Sequence, residues 1–173
     1  AKVKDIIDSI SNDDLGELKS LMSDFKMAGL NTEILNQLLI CIERCEEKDI
    51  FALFDFLRCS LMGEKISIAA TTESWEHLDK ALTRIESLSE GEGEPSKEVT
   101  NAQMTSSQAL CNLFKFKNAY TALFKDYNKI NRILTFAGKM LNSSKDKAIS
   151  AAASIALNVM ICFDEIEVAE IES

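Results

Sequence analysis

Apolar residues recur at helical spacing along almost the whole chain. Ile34, Leu35, Leu38, Leu39 and Ile42 form one stripe after Asn31-Thr32, an N-cap signal; Trp75, Leu78, Leu82 and Ile85 form another within a predicted helix over 72–88. The same pattern predicts helices over 3–10 and from Asp13 to about Lys26, closed by Gly29, then from Lys48-Asp49 to Met62, closed by Gly63. Residues 66–70 are too short to assign. Further helices are predicted at about 99–116, 118–126, 128–141 and 145–163, followed by an acidic tail. Ser89-Glu90-Gly91-Glu92-Gly93-Glu94-Pro95-Ser96 has no apolar side chain, so the stretch 89–98 is expected to be a flexible acidic loop inserted in a single domain spanning 1–173.

Three of the helices are apolar almost all round, as befits elements enclosed by other helices, and this makes their polar positions informative. Ser150, Ser154 and Asn158 follow at i, i+4 and i+8; Thr105, Gln108, Asn112 and Lys115 follow at i, i+3, i+7 and i+10. Each set is predicted to lie along one line of a helix surface. Asn112 and Asn158 are 46 residues apart, and Arg58 precedes Asn112 by 54, which becomes 46 when the eight residues 89–96 are removed. A period of that length belongs to armadillo and HEAT arrays, whose units bury their apolar faces only by stacking. The expected fold is therefore all-α, an armadillo-like right-handed helical solenoid of about three to four repeats. The recurring amides suit a ladder that grips the backbone of an extended peptide, with Arg58 and Lys115 selecting carboxylates. The alternative is a structural scaffold for another protein partner, in which the stripes face solvent or satisfy neighbouring helices.

Charge sharpens this picture. Residues 1–100 hold 11 Lys+Arg and 21 Asp+Glu, net −10; residues 101–163 hold 8 and 2, net +6; residues 164–173 hold 0 and 5, net −5, which together give −9. The overall sign argues against nucleic acid and against anionic membrane, while the basic segment suits a short acidic peptide. No apolar run reaches the roughly 18 residues of a membrane span and the charged start does not read as a signal peptide, so a cytoplasmic or nuclear location is expected. Five cysteines, Cys41, Cys45, Cys59, Cys111 and Cys162, sit among apolar helical residues and read as reduced thiols. Cys41 and Cys45 are one turn apart, but with His77 as the one histidine no four-ligand metal site is expected. No cofactor is implied, and neither a nucleophile–base pair nor a phosphate loop can be assembled, so the chain is not expected to be an enzyme.

Four segments carry a family resemblance: Ile50-Phe51-Ala52-Leu53-Phe54-Asp55-Phe56-Leu57-Arg58, Thr100-Asn101-Ala102-Gln103-Met104, Ala109-Leu110-Cys111-Asn112-Leu113-Phe114, and Ala156-Leu157-Asn158-Val159-Met160-Ile161-Cys162-Phe163. In their order the stretch from about Thr32 to Phe163 resembles the PUL domain, the armadillo-like module at the carboxy end of phospholipase-activating protein and its fungal ubiquitin-fusion-degradation relatives. The resemblance implies a non-catalytic adaptor in ubiquitin-dependent protein turnover. Its partner would be the acidic carboxy-terminal tail, with a penultimate aromatic, of the Cdc48-type AAA ATPase, the valosin-containing protein; ubiquitin would be met through domains outside this chain. By the family's pattern Arg58, Asn112 and Asn158 would line a basic concave groove, joined by Gln108, Lys115 and Ser154 on the polar stripes. Gln108 departs from the pattern, which often has arginine one turn before the asparagine. The family domain also continues with further repeats beyond the position of Phe163, so the chain resembles a truncated form.

Overall fold

The computed structural model describes residues 5–6, 30–90, 94–143 and 146–171, with the side chains of 167–171 left aside. Among the described residues the secondary structure is helical throughout: α1 Thr32–Arg44, α2 Glu47–Ser60, α3 Glu64–Thr71, α4 Trp75–Ser89, α5 Lys97–Leu113, α6 Lys117–Phe124, α7 Tyr127–Leu141 and α8 Asp146–Ile171. Three helix starts carry side-chain caps that satisfy amides the helix itself leaves unpaired. Asn31 accepts from the Ile34 N–H at 2.9 Å, Ser96 from Val99 at 3.2 Å and Asp126 from Asn128 at 3.0 Å.

The order short, medium, long occurs twice: α3, α4, α5 with 8, 15 and 17 residues, then α6, α7, α8 with 8, 15 and 26. Equivalent helices pack on one another. α2 packs against α5 and α5 against α8, α1 against α4, and α3 against α6. A helix pair, α1–α2, followed by two three-helix units thus forms a stack in which each unit covers its neighbour's apolar face. The continuous core includes Leu38, Ile42, Leu53, Phe54 and Leu57 from the first pair, Leu82, Ile85 and Leu113 from the second unit, and Ile133, Phe136 and Ile155 from the third, all fully buried.

Polar bonds also tie unit to unit. Arg132 on α7 reaches α4, donating to Asp79, to Glu86 at 2.8 Å and to Thr83 at 3.2 Å. Lys129 donates to the Thr71 carbonyl at 2.7 Å and lies 5.5 Å from the Trp75 ring centre. The five cysteines are free thiols. Burial pushes the Cys45 thiol up to about 12, so it stays neutral in the core.

Several expectations shift. Residues 66–70 belong to helix α3, whose buried Ser67 hydroxyl donates to the Leu61 carbonyl at 2.7 Å and so satisfies the end of α2. The loop predicted over 89–98 is shorter, since Ser89 ends α4 and Lys97 begins α5. The helix predicted to end at 163 continues to Ile171. Glu and Ala are strong helix formers, Ile166 packs partly against the core, and the Tyr120 hydroxyl donates to Glu165 at 2.6 Å, so the acidic segment extends the helix instead of leaving it. Over Asp146–Ile166 α8 is also long and apolar enough, by length and composition, to cross a membrane, which the sequence reading missed. Its inner face, including Ala148, Ala152, Ile155 and Val159, is buried, while Leu157, Met160 and Ile161 are exposed. Of the helices predicted over 3–10 and 13–26, Asp5 and Ile6 are helical and the rest lies outside the described residues.

Candidate functional site

α2, α5 and α8 run side by side, and where their polar residues meet lies an open groove of about 510 Å³. Arg58 comes from the last turn of α2; Met104, Gln108, Cys111 and Asn112 from one face of α5; Lys147, Ser150, Ala151 and Ser154 from the first turns of α8. On α8 these positions fall at i, i+3, i+4 and i+7, one line of the helix, because residues three and four apart lie on one helix face. A second hollow of about 390 Å³ adjoins it, sharing Met104 and Lys147 and extending to Lys97, Thr100, Asn101 and the carboxylate of Asp146.

The groove lining carries two cations, Arg58 and Lys147, and no carboxylate. The first turn of α8 adds the positive end of a helix dipole. Cys111 lies on the wall with its thiol 3.7 Å from the Ala151 carbonyl, and burial pushes its pKa up to about 11. At neutral pH it is therefore a thiol, not a thiolate nucleophile. Among the described residues no cluster of three or more His, Cys, Asp or Glu is placed to hold a metal.

Four of the six residues singled out from sequence come together here: Arg58, Gln108, Asn112 and Ser154. Their local bonding differs from a simple ladder. Arg58 donates from Nε at 2.9 Å and Nη2 at 2.7 Å to the same Asp55 oxygen, an i,i+3 pair on α2. Asn112 donates from Nδ2 to the Arg58 carbonyl at 2.8 Å. The neighbouring carbonyls of Leu57, Cys59 and Ser60 accept from N–H groups of the following turn, so Asn112 takes up a carbonyl that the helix end exposes. Its amide is thus a clamp between α2 and α5. The equivalent bond from Asn158 to α5 is not made: the Asn112 carbonyl accepts from the Lys115 N–H at 3.2 Å, and the Phe114 carbonyl faces the Cys162 thiol at 3.8 Å.

The other two predicted residues fall outside the groove. Asn158 is half-buried, one turn past Ser154 along α8. Lys115 lies beyond the end of α5, which stops at Leu113, and its ammonium sits 5.4 Å from the Phe116 ring centre. The four-residue line drawn from Thr105 to Lys115 also fails at its start, because Thr105 is buried and its hydroxyl bonds the Asn101 and Ala102 carbonyls within its own helix. Lys147 was missed. Its spacing to Ser150 and Ser154, i, i+3 and i+7, would have placed it on the groove line.

The family model of the PUL domain matches residues 2–172. The chain belongs to the PUL domain family. No match was found among curated proteins or among solved structures. The PUL domain is a protein-interaction module, and in this PUL domain the groove between α2, α5 and α8 is where polar and cationic groups converge with open space in front of them.

Proposed function

We propose that this PUL domain is an adaptor that takes an acidic, extended peptide into the α2/α5/α8 groove, and that the peptide is the carboxy-terminal tail of a Cdc48-type AAA ATPase in cytoplasmic or nuclear ubiquitin-dependent turnover. The observation that carries the reading is the charge of the lining: Arg58 and Lys147 converge on one cavity with no carboxylate among its walls. Carboxylates meeting a guanidinium and an ammonium gain charge-assisted hydrogen bonds. Gln108, with donor and acceptor on one amide, is suited to a peptide backbone. The groove's neutral thiol and its lack of a base beside a nucleophile support binding over catalysis.

One observation favours the alternative of a structural scaffold at a single position. Asn112 spends an N–H on α2, as a purely structural amide would. The two readings part on Lys147, which holds no other helix. A fluorescent peptide ending in several acidic residues with a penultimate aromatic should bind saturably, more weakly as salt rises. Lys147→Glu should weaken it by roughly 30-fold, about 2 kcal/mol, while leaving the thermal midpoint nearly unchanged. Unaltered affinity in Lys147→Glu, or no binding by the folded parent at low salt, would leave the scaffold reading in place.

A further inference from the structure

Asp55 holds the guanidinium of Arg58, a residue of the proposed ligand site, yet it is not itself part of the groove wall. One of its oxygens accepts both Nε and Nη2 of Arg58, which is the guanidinium edge a carboxylate ligand would meet side-on. The pair is partly solvated, with side-chain exposures of 34% for Arg58 and 44% for Asp55. Exposed pairs of this kind contribute little to stability, so exchanging Asp55 for another carboxylate is cheap. The Arg58 backbone, by contrast, is pinned by the Asn112 amide at 2.8 Å, which keeps the residue at the groove after its side chain is released. Sequence makes the arrangement local, since Asp followed by Arg at i,i+3 on α2 meets on one helix face whatever the rest of the fold does.

We infer that Asp55 is a built-in competitor that occupies the Arg58 guanidinium in the free protein and so selects for ligands bringing more than one acidic group. The inference rests on the acidic-peptide reading of the groove. With Asp55 in place the site presents a net charge near that of Lys147 alone, and a ligand with one carboxylate gains little by displacing a carboxylate already there. A ligand with several acids meets Lys147 first, and its second carboxylate, now held at high local concentration, exchanges with Asp55.

The test uses the full chain and two fluorescein-labelled heptapeptides that differ only in carrying one glutamate or three. Asp55→Asn keeps shape and removes the charge; Asp55→Ser gives a second, smaller variant with the same loss. Each is expected to bind the one-glutamate peptide roughly fivefold more tightly than the parent does. The gain for the three-glutamate peptide is expected to be smaller, and the dependence of binding on salt steeper, because an additional uncompensated cation faces the ligand. An Asp55 that acted only as a nearby charge would instead give the larger gain to the three-glutamate peptide, because its effect scales with the charge of the ligand. Unchanged or weaker binding of both peptides by both variants, with a parent that does bind the three-glutamate peptide, overturns the inference and leaves the groove reading standing. Absence of binding by parent and variants alike overturns both.

Discussion

Two concavities draw on α5, and they use charge in opposite ways. The groove of α2, α5 and α8 is lined by Arg58 and Lys147 without a carboxylate, whereas a cleft of about 380 Å³ between α4, α5 and α7 is lined by Glu86, Glu90 and Glu94 with Lys139. The cations that hold the cleft's carboxylates, Lys139 in its wall and Arg132 outside it, are committed. Arg132, only 20% exposed, bonds Asp79, Glu86 and Thr83 across a helix boundary, and Lys139 lies 3.5 Å from Glu86 and 3.0 Å from Glu90. In the groove the one ion-pair partner of Arg58 lies three residues away on its own helix, and its other side-chain contact, the Cys59 sulfur at 3.7 Å, is on the same turn. Charge that spans two helices serves the stack; charge satisfied within one turn, or unpartnered, remains open to a ligand. Concave shape and the presence of cations do not separate the two regions, but the chain distance between each cation and its partner does.

The comparison breaks most readily at Arg132. Arg132→Ala would leave Glu86, 9% exposed, without its guanidinium and remove the tie between α4 and α7. Breaking a buried ion pair outright costs roughly 3–5 kcal/mol, and here the expectation is a loss of about 2 because Lys139 remains 3.5 Å from Glu86 and solvent reaches Asp79. Urea unfolding should register that loss, while binding of an acidic peptide to the remaining folded protein stays at the parent value. A stable Arg132→Ala protein with weakened peptide binding would invert the division of labour between the two concavities.

How much of this was legible before the structure depends on whether a residue's partner lies near in sequence. The helical class followed from the apolar stripes, and α1, α4 and α7 fall close to where capping residues and periodicity put them. The spacing of the polar positions located one contact and not the other: Asn112 meets the Arg58 end of α2, 54 positions back, whereas Asn158, 46 positions further on, makes no equivalent bond to α5. What the Asn112 amide does there was not legible. A carboxamide serves a peptide backbone or a neighbouring helix end equally well, and the choice is made by an α2 carbonyl 54 positions away. Lys115 was misplaced because the periodicity of α5 does not announce its end at Leu113, where Phe114 N–H turns back to the Cys111 carbonyl. The Asp55–Arg58 contact was readable throughout as an i,i+3 pair, and needed only to be weighed as competition.

A second substitution sharpens the line between clamp and ligand group. Asn112→Ala removes the donor to the Arg58 carbonyl, leaving the last turn of α2 with an unsatisfied acceptor beside a small void. The expected cost is about 1 kcal/mol, that of an ordinary hydrogen bond, visible as a lower urea midpoint. Peptide affinity should fall less than in Lys147→Glu, because Arg58 is displaced and not removed. Equal losses of affinity in the two variants, with stability unchanged in Asn112→Ala, would make the amide a ligand contact first and a clamp second.

The smallest effect concerns the outer wall of the groove. α8 is fastened near its carboxy end by the Tyr120 hydroxyl donating to Glu165, and this hydrogen bond, followed by burial and the charge of the carboxylate, pushes the phenol up to about 12. An ordinary tyrosine ionises near 10. Because the folded state holds its proton more tightly, the contribution is fully present below about pH 10 and is lost as pH rises through about 12. Tyr120→Phe should therefore be less stable than the parent by about 0.5 kcal/mol from pH 7 to 9, and the difference should close as the parent's own phenolate forms and is repelled by Glu165. The buried thiols of Cys45 and Cys111, raised to about 12 and 11, lower alkaline stability in both proteins alike and cancel in that difference, whereas Cys162, raised to about 11 and facing both Tyr120 and Glu165, adds to the repulsion in the parent. Arginine remains charged across the range, so the Arg132 tie holds while the α8 fastening fails. Alkali should then loosen the groove wall before the cleft, and hydrogen exchange at pH values stepped toward 11 should show amides of α8 opening ahead of those of α4 and α7.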